Sequence, residues 1–337
     1  MAPSLKPIAR QTIVITGASS GIGLATARAA AGRGARVVLA ARNGAVLEDV
    51  ARDIQERGGE ARAVVADVSR RADVEALAAE AEALYGGFDT WVNNAGLSIF
   101  GRLEEVSDED HRRLFDVNFW GVVHGSTVAL QHLKRSGGAL INLGSVASDI
   151  AFPIQGMYCA SKHAIKGFTD ALRMELQAEG APVAVTLIKP ASIDTPFTTH
   201  AKNYMDRAPK LPPPVYVPED VAEAILYAAE HGPRDLYVGG GGKLMSSLRK
   251  RAPQATDWMG RHVMARMQVG SEPAGDRNGA LYAAGRDGAV RGGSPHHVMR
   301  SGYLRASMHP VLTGVLVAGA AAAVASLLAR GGRSSSH

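Results

Sequence analysis

Between residue 12 and about residue 240, short continuous apolar runs alternate with segments of helical period. No other feature constrains the fold of this chain as tightly. Residues 12–16 (TIVIT), 35–41 (ARVVLAA), 61–66, 88–92, 139–143, 183–188 and 236–238 read as strands. Residues 22–33, 45–57, 73–85, 108 to about 135, 157–179 and 219–231 read as helices between them. The strand runs are unbroken Val, Ile, Leu and Ala rather than apolar–polar alternations, which means strands covered on both faces. Such strands alternating with helices predict an α/β fold, a doubly wound parallel sheet of about seven strands with helices on both faces.

Composition removes several other classes. The single cysteine, Cys159, excludes an intramolecular disulfide framework and a thiolate metal cluster. The histidines lack metal-ligand spacing, so no metal site is expected. Aromatic residues make up 5% of the chain, too few for a stacking platform on nucleic acid. The net charge of +5 is unevenly spread. Residues 251–337 hold 10 Arg, no Lys and 4 acids, whereas residues 1–250 hold 27 basic and 28 acidic residues. A nearly neutral folded unit with an Arg-bearing extension is not the charge distribution of a nucleic-acid binder.

The chemistry concentrates where strands end and helices begin. The first strand runs into Thr16-Gly17-Ala18-Ser19-Ser20-Gly21-Ile22-Gly23 as a helix opens. Glycines there let the turn close and let backbone N–H groups approach a pyrophosphate at the positive end of the helix. At the end of the second strand stand Ala40, Ala41 and Arg42. An acid at this place would bind an adenosine ribose; Arg42 instead offers a cation to a 2′-phosphate, so NADP(H) is favoured over NAD(H). Tyr158 and Lys162 are four apart on one predicted helix and therefore share a face. An ammonium beside a phenol favours the phenolate and lowers the Tyr pKa towards a useful value. Ser145 follows the fifth strand, at the carboxyl edge where ligands bind in open α/β sheets.

Together these residues resemble the short-chain dehydrogenase/reductase family in its single-domain form. TGASSGIG at 16–23, Asp67-Val68, Asn93-Asn94-Ala95-Gly96, Asn118, Ser145 and Tyr158-Cys-Ala-Ser-Lys162 carry the likeness, which spans about residues 10–240. The resemblance implies a Rossmann-like fold and an NADP(H)-dependent enzyme that interconverts a carbonyl and an alcohol. It implies that Gly17, Ser19, Ser20, Gly21, Ile22 and Gly23 would surround the cofactor phosphates and that Arg42 would select NADP. Asp67 and Val68 would hold the adenine, and Asn94, with Ala95 and Gly96, would meet the adenosine ribose side. Pro190, Ile193 and Thr195 would lie at the nicotinamide. Tyr158 would be the acid/base, Lys162 would bind ribose hydroxyls and lower the Tyr158 pKa, and Ser145 would hold the substrate oxygen. Asn118 would keep a water in a proton relay. The family's usual Pro-Gly after the sixth strand is Pro190-Ala191 here, a strained turn if its second residue needs positive φ.

Residues 192–217 are expected to cover the substrate, and the apolar Phe197, Tyr204, Met205 and Leu211 favour a hydrophobic carbonyl compound. The expected organisation is an arm at 1–10, a catalytic domain at 11–242, a helical extension at 243–268, a Gly/Arg-rich flexible linker at 269–308, an apolar helix at 309–330 and a polar tail at 331–337. Residues 311–329 carry no charge over 19 positions, long enough to span a bilayer. That segment is a candidate membrane anchor holding a cytoplasmic enzyme, and Gly314, Ala318 and Ala322 give it a small-residue face. A homo-oligomer is expected. Two other readings stay open on residues alone: an idle NADP-binding scaffold, and an isomerase or dehydratase on the same fold.

Overall fold

A computed structural model of the chain describes residues 4–311, 313 and 314. Seven parallel strands form the central sheet: β1 (Thr12–Thr16), β2 (Arg36–Ala41), β3 (Glu60–Val65), β4 (Thr90–Asn93), β5 (Gly138–Leu143), β6 (Val183–Pro190) and β7 (Asp235–Val238). Their order is β7-β6-β5-β4-β1-β2-β3, so the strand order reverses between β1 and β4. Period-two geometry sends successive side chains of β1 into opposite layers. Ile13 and Ile15 pack with Leu24, Leu47 and Ile225 on one face, and Val14 packs with Leu77, Leu133 and Leu172 on the other. Helices α1 (Gly21–Gly32) and α2 (Gly44–Glu56) cover the first face. Helix α3 (Arg71–Tyr85) covers the second. This two-sided burial is why the strands read as unbroken apolar runs. Only β3, at the sheet edge, mixes buried and exposed positions.

The long helix expected from residue 108 is interrupted. It runs as α4 (Asp108–Phe115), a π turn (Asp116–Trp120) and α5 (Gly121–Ser136). An apolar stripe cannot reveal a single-turn register change of this kind, and such turns concentrate at functional sites. Helices α6 (Gly156–Ala178) and α7 (Pro218–His231) complete the α/β unit. The Pro190-Ala191 turn is not strained, because Ala191 is not at positive φ.

The extension begins with α8 (Gly240–Arg251) and α9 (Pro253–Met259), a second π turn (Gly260–Met264) and a final short turn (Ala265–Met267). The segment expected as a flexible linker is fastened to the domain. Val269–Pro273 pairs antiparallel with Arg207–Pro209, and Val298–Met299 pairs parallel with Val215–Tyr216. Between them Ala280 and Leu281 are buried. Helix α10 (Gly302–Met308) seats Leu304 and Met308 in the core. Glycine content there reflects close backbone approach rather than looseness: a Cβ on Gly292 would lie 2.2 Å from the Thr195 carbonyl oxygen. Among the described residues no helix is long and apolar enough to cross a membrane. Of the candidate anchor at 311–329, all but Val311, Thr313 and Gly314 lies outside the described residues.

Candidate active site

The strand ends β1, β2, β4, β5 and β6 open onto one cavity of about 560 Å³. Gly17, Ser19, Ser20, Gly21, Ile22, Arg42, Asp67, Val68, Asn94, Ala95 and Gly96 line one end of it, with Ser145, Tyr158, Lys162, Pro190, Ile193 and Thr195 also in its wall. Two expected residues, Gly23 and Asn118, stand behind that wall rather than in it.

Gly23 allows the turn to exist. A Cβ there would lie 2.1 Å from the Gly17 carbonyl oxygen and 2.6 Å from Asn94 Nδ2. The Ser20 side chain makes no capping bond, so the first turn of α1 meets the cavity without a side-chain cap. Such a helix start suits an anion, as does the Arg42 cation at the same end. The donor set fits the phosphates of a dinucleotide. Asn94, in the cavity wall, also braces this turn. Its Nδ2 donates to the carbonyls of Thr16 (2.8 Å) and Gly17 (3.2 Å), bracing the glycine turn against β4.

Arg42 reaches the cavity, but its guanidinium already donates to the carbonyls of Ala280 and, at 3.4 Å, Leu281. Burial lowers its pKa, with Asp67 and Asp287 acting in the opposite sense. Arg113 was not legible as a site residue. It donates to Asp67 at 2.7 Å and to the Leu281 carbonyl at 3.1 Å. Burial pushes the Asp67 carboxyl up, yet hydrogen bonds from Arg113 and Ser69 outweigh it and hold the group below its ordinary value. Asp67 is therefore a fixed carboxylate at the far end from Tyr158.

Ser145 follows β5 in a short turn built by reciprocal bonds. Its hydroxyl accepts from Ala147 N–H at 3.1 Å, and Ser148 Oγ accepts from Ser145 N–H at 3.2 Å. The turn presents the Ser145 hydroxyl to the phenol of Tyr158. Lys162, one turn along α6, is 5% exposed and donates to the Leu143 carbonyl at 2.8 Å. Its Nζ lies 5.8 Å from the centre of the Tyr158 ring. The expected lowering of the Tyr158 pKa is not what the geometry produces. Burial raises the phenol well above its ordinary range, with Ser145 opposing and Cys159 adding to the rise. Burial also pushes Lys162 down to about 8. The two groups share one desolvated pocket, and Phe197 closes it with its ring centre 5.5 Å from that of Tyr158.

Asn118 sits in the π turn. Its Nδ2 donates to the Leu97 carbonyl (2.9 Å) and Ser161 Oγ (3.1 Å), while its Oδ1 accepts from Leu97 N–H at 2.8 Å. The carboxamide is held by these three protein bonds. Asn118 thereby ties the segment after β4 to the helix that carries Tyr158 and Lys162.

Beyond Tyr158 the wall is mostly apolar, interrupted by Gln155, Lys210 and Gln268. Phe152, Leu211 and Pro212 meet Met259, Met264 and Met267 from the extension. The methionines carried no functional signal in sequence beyond an apolar stripe. Ala280, Gly285 and Asp287 were likewise illegible, because they reach the cavity through non-local backbone pairing.

The model described as short chain dehydrogenase matches residues 11–205. The uncharacterized oxidoreductase YxnA of Bacillus subtilis is 45% identical over 320 residues, 94% of this chain and 90% of that protein. The 3beta-hydroxysteroid dehydrogenase 1 of Eggerthella lenta is 37% identical, over 65% of this chain and 86% of its own length. An alcohol dehydrogenase from Thermococcus sibiricus, solved in complex with 5-hydroxy-NADP, is 31% identical with a TM-score of 0.60, covering 68% of this chain and 95% of that one. A short chain dehydrogenase/reductase from Burkholderia phymatum, solved with NAD, is 28% identical with a TM-score of 0.66, covering 73% and 95%. With the family model matched over more than half its length, and the Bacillus relative aligned along nearly all of it, this chain belongs to the short-chain dehydrogenase family of oxidoreductases.

Proposed function

We propose that the protein is an NADP(H)-dependent oxidoreductase that interconverts a ketone and an alcohol on an apolar, hydroxysteroid-like substrate. One observation carries the reading: Ser145, Tyr158 and Lys162 share a single cavity with the glycine turn and Arg42. When bound, the nicotinamide supplies or accepts the hydride. In the reductive direction Tyr158, kept protonated by burial, donates its proton to the developing alkoxide, and Ser145 steadies that oxygen by hydrogen bonding. Lys162 keeps a cation beside the phenol, and Asn118 ties the helix that carries both, through Ser161, to Leu97.

NADP(H) is favoured by Arg42 and by the lack of an acid at Ala40 and Ala41. The apolar substrate is supported by the Phe, Pro and Met wall. Relatives named as 3beta-hydroxysteroid dehydrogenases and as an 11-beta-hydroxysteroid dehydrogenase support a polycyclic alcohol or ketone. Assembly as a homo-oligomer, and membrane association through residues 311–329, remain part of this reading. Fractionation of the chain with and without residues 308–337 tests the latter. The substrate is tested by following reduced-nicotinamide absorbance with NADPH and NADH against ketosteroids, long-chain ketones and small polar ketones. Preference for NADPH and for the bulky apolar ketones is expected; turnover confined to small polar carbonyls contradicts the assignment.

A further inference from the structure

We propose that residues 279–293 form a wall of the dinucleotide site and a strap whose opening sets the rate of cofactor exchange. The proposal rests on the dinucleotide reading of the cavity. It concerns a stretch beyond the matched family region, which ends at residue 205.

The strap runs along the cavity from the glycine turn to Arg42. At the turn the Gly21 N–H donates to the Ala289 carbonyl at 2.9 Å, and the Gly288 N–H donates to the Ser19 carbonyl at 2.9 Å. These bonds lie on the turn that opens α1. Beside it the Gly292 backbone packs against the carbonyl of Thr195, whose side chain faces Gly21. Farther along, Arg42 donates to the carbonyls of Ala280 and Leu281. The strap also lines the space it covers: Ala280, Ala284, Gly285 and Asp287 are in the cavity wall. The Asp287 side chain is 9% exposed and lies 3.8 Å from His200 Nε2.

The fasteners lie outside the cavity wall. Arg291 pairs with both carboxylate oxygens of Glu219 at 3.0 and 3.1 Å. The Tyr282 hydroxyl donates to Asp110 Oδ1 at 2.7 Å, and Asp194 Oδ1 accepts from Ser294 N–H at 2.9 Å. A segment tied at both ends across a glycine turn must yield before an elongated dinucleotide enters or leaves. A 2′-phosphate also competes with the Ala280 and Leu281 carbonyls for Arg42, so arrival of the cofactor and release of the strap are coupled through that guanidinium.

Stopped-flow NADPH fluorescence on the full chain tests this, using Tyr282→Phe, Arg291→Ala and the double variant. Both residues are about half exposed, so the changes remove fasteners without opening a core. The account expects NADPH release and association both to quicken, reaching about tenfold in the double variant, with Kd moving less than either rate. NADPH binding at rates unchanged within about twofold overturns the strap and leaves the cofactor reading standing. A wild-type chain that binds no dinucleotide overturns both. Hydrogen–deuterium exchange on the unaltered chain gives an independent measure. Residues 279–293 should be protected in the chain without cofactor; exchange there at the rate of free chain contradicts the proposal.

Discussion

Lys162 shows how burial redistributes charge among the residues of this site. Its pKa falls from 10.5 to about 8. Below about 8 the amine is charged in both folded and unfolded chains, and the whole penalty of burying it stands. Between about 8 and 10.5 the unfolded chain holds a proton that the folded one lacks, so stability rises with pH across that window. Lys162→Met should abolish turnover yet raise stability at neutral pH by about 1–3 kcal/mol, allowing for the lost bond to Leu143. Thermal melts across pH check this, and the gain should fade as pH climbs towards 10.5. A variant less stable than wild type at every pH contradicts it. Three residues of the proposed mechanism, Ser145, Tyr158 and Lys162, were legible in the sequence because their spacing and strand-end placement are local. The direction of the Tyr158 pKa was not, because it depends on burial in the folded chain.

Among the elements, the interrupted helix that carries Asn118 matters most. A hydrophobic stripe predicts one helix from residue 108, and only the three-dimensional register shows the π turn. Asn118 there satisfies both the N–H and the carbonyl of buried Leu97. Asn118→Ala leaves both backbone groups without these partners, at about 1–3 kcal/mol for each. The variant should melt several degrees lower and lose kcat more than NADPH affinity, since the glycine turn is braced by Asn94 instead. Unchanged melting would mean that water replaces the carboxamide without cost. The strands themselves were legible within a residue or two at each end. Their continuous apolar character follows from the two helical layers, which is a whole-sheet property already written into each run.

The molecule as a whole differs from its sequence reading mainly after residue 242. Helical periodicity announced the segment 243–268. Residues 269–308, however, read as linker because Gly, Arg, Ser and Pro dominate them. Their fixing comes from backbone pairing with residues up to 269 positions away, such as Gly288 with Ser19, and composition cannot carry that information. A chain ending at residue 242 loses the Met wall and the strap, along with Leu304 and Met308 from the core. It should melt well below the full chain or aggregate, as scattering during a thermal ramp would reveal. Equal melting temperatures would restore the reading of residues 269–308 as a flexible linker. The excess positive charge of the extension also gains a structural use, since Arg277 and Arg291 pair with Asp206 and Glu219 of the domain.

The central claim is that Tyr158 transfers the proton in a dinucleotide-dependent carbonyl reduction. It is tested most directly by pairing NADPH titration with single-turnover ketone reduction in wild type and Tyr158→Phe. The account predicts that the variant binds NADPH within about threefold of wild type while reduction falls by at least about 100-fold. A variant that reduces the ketone at the wild-type rate would contradict it.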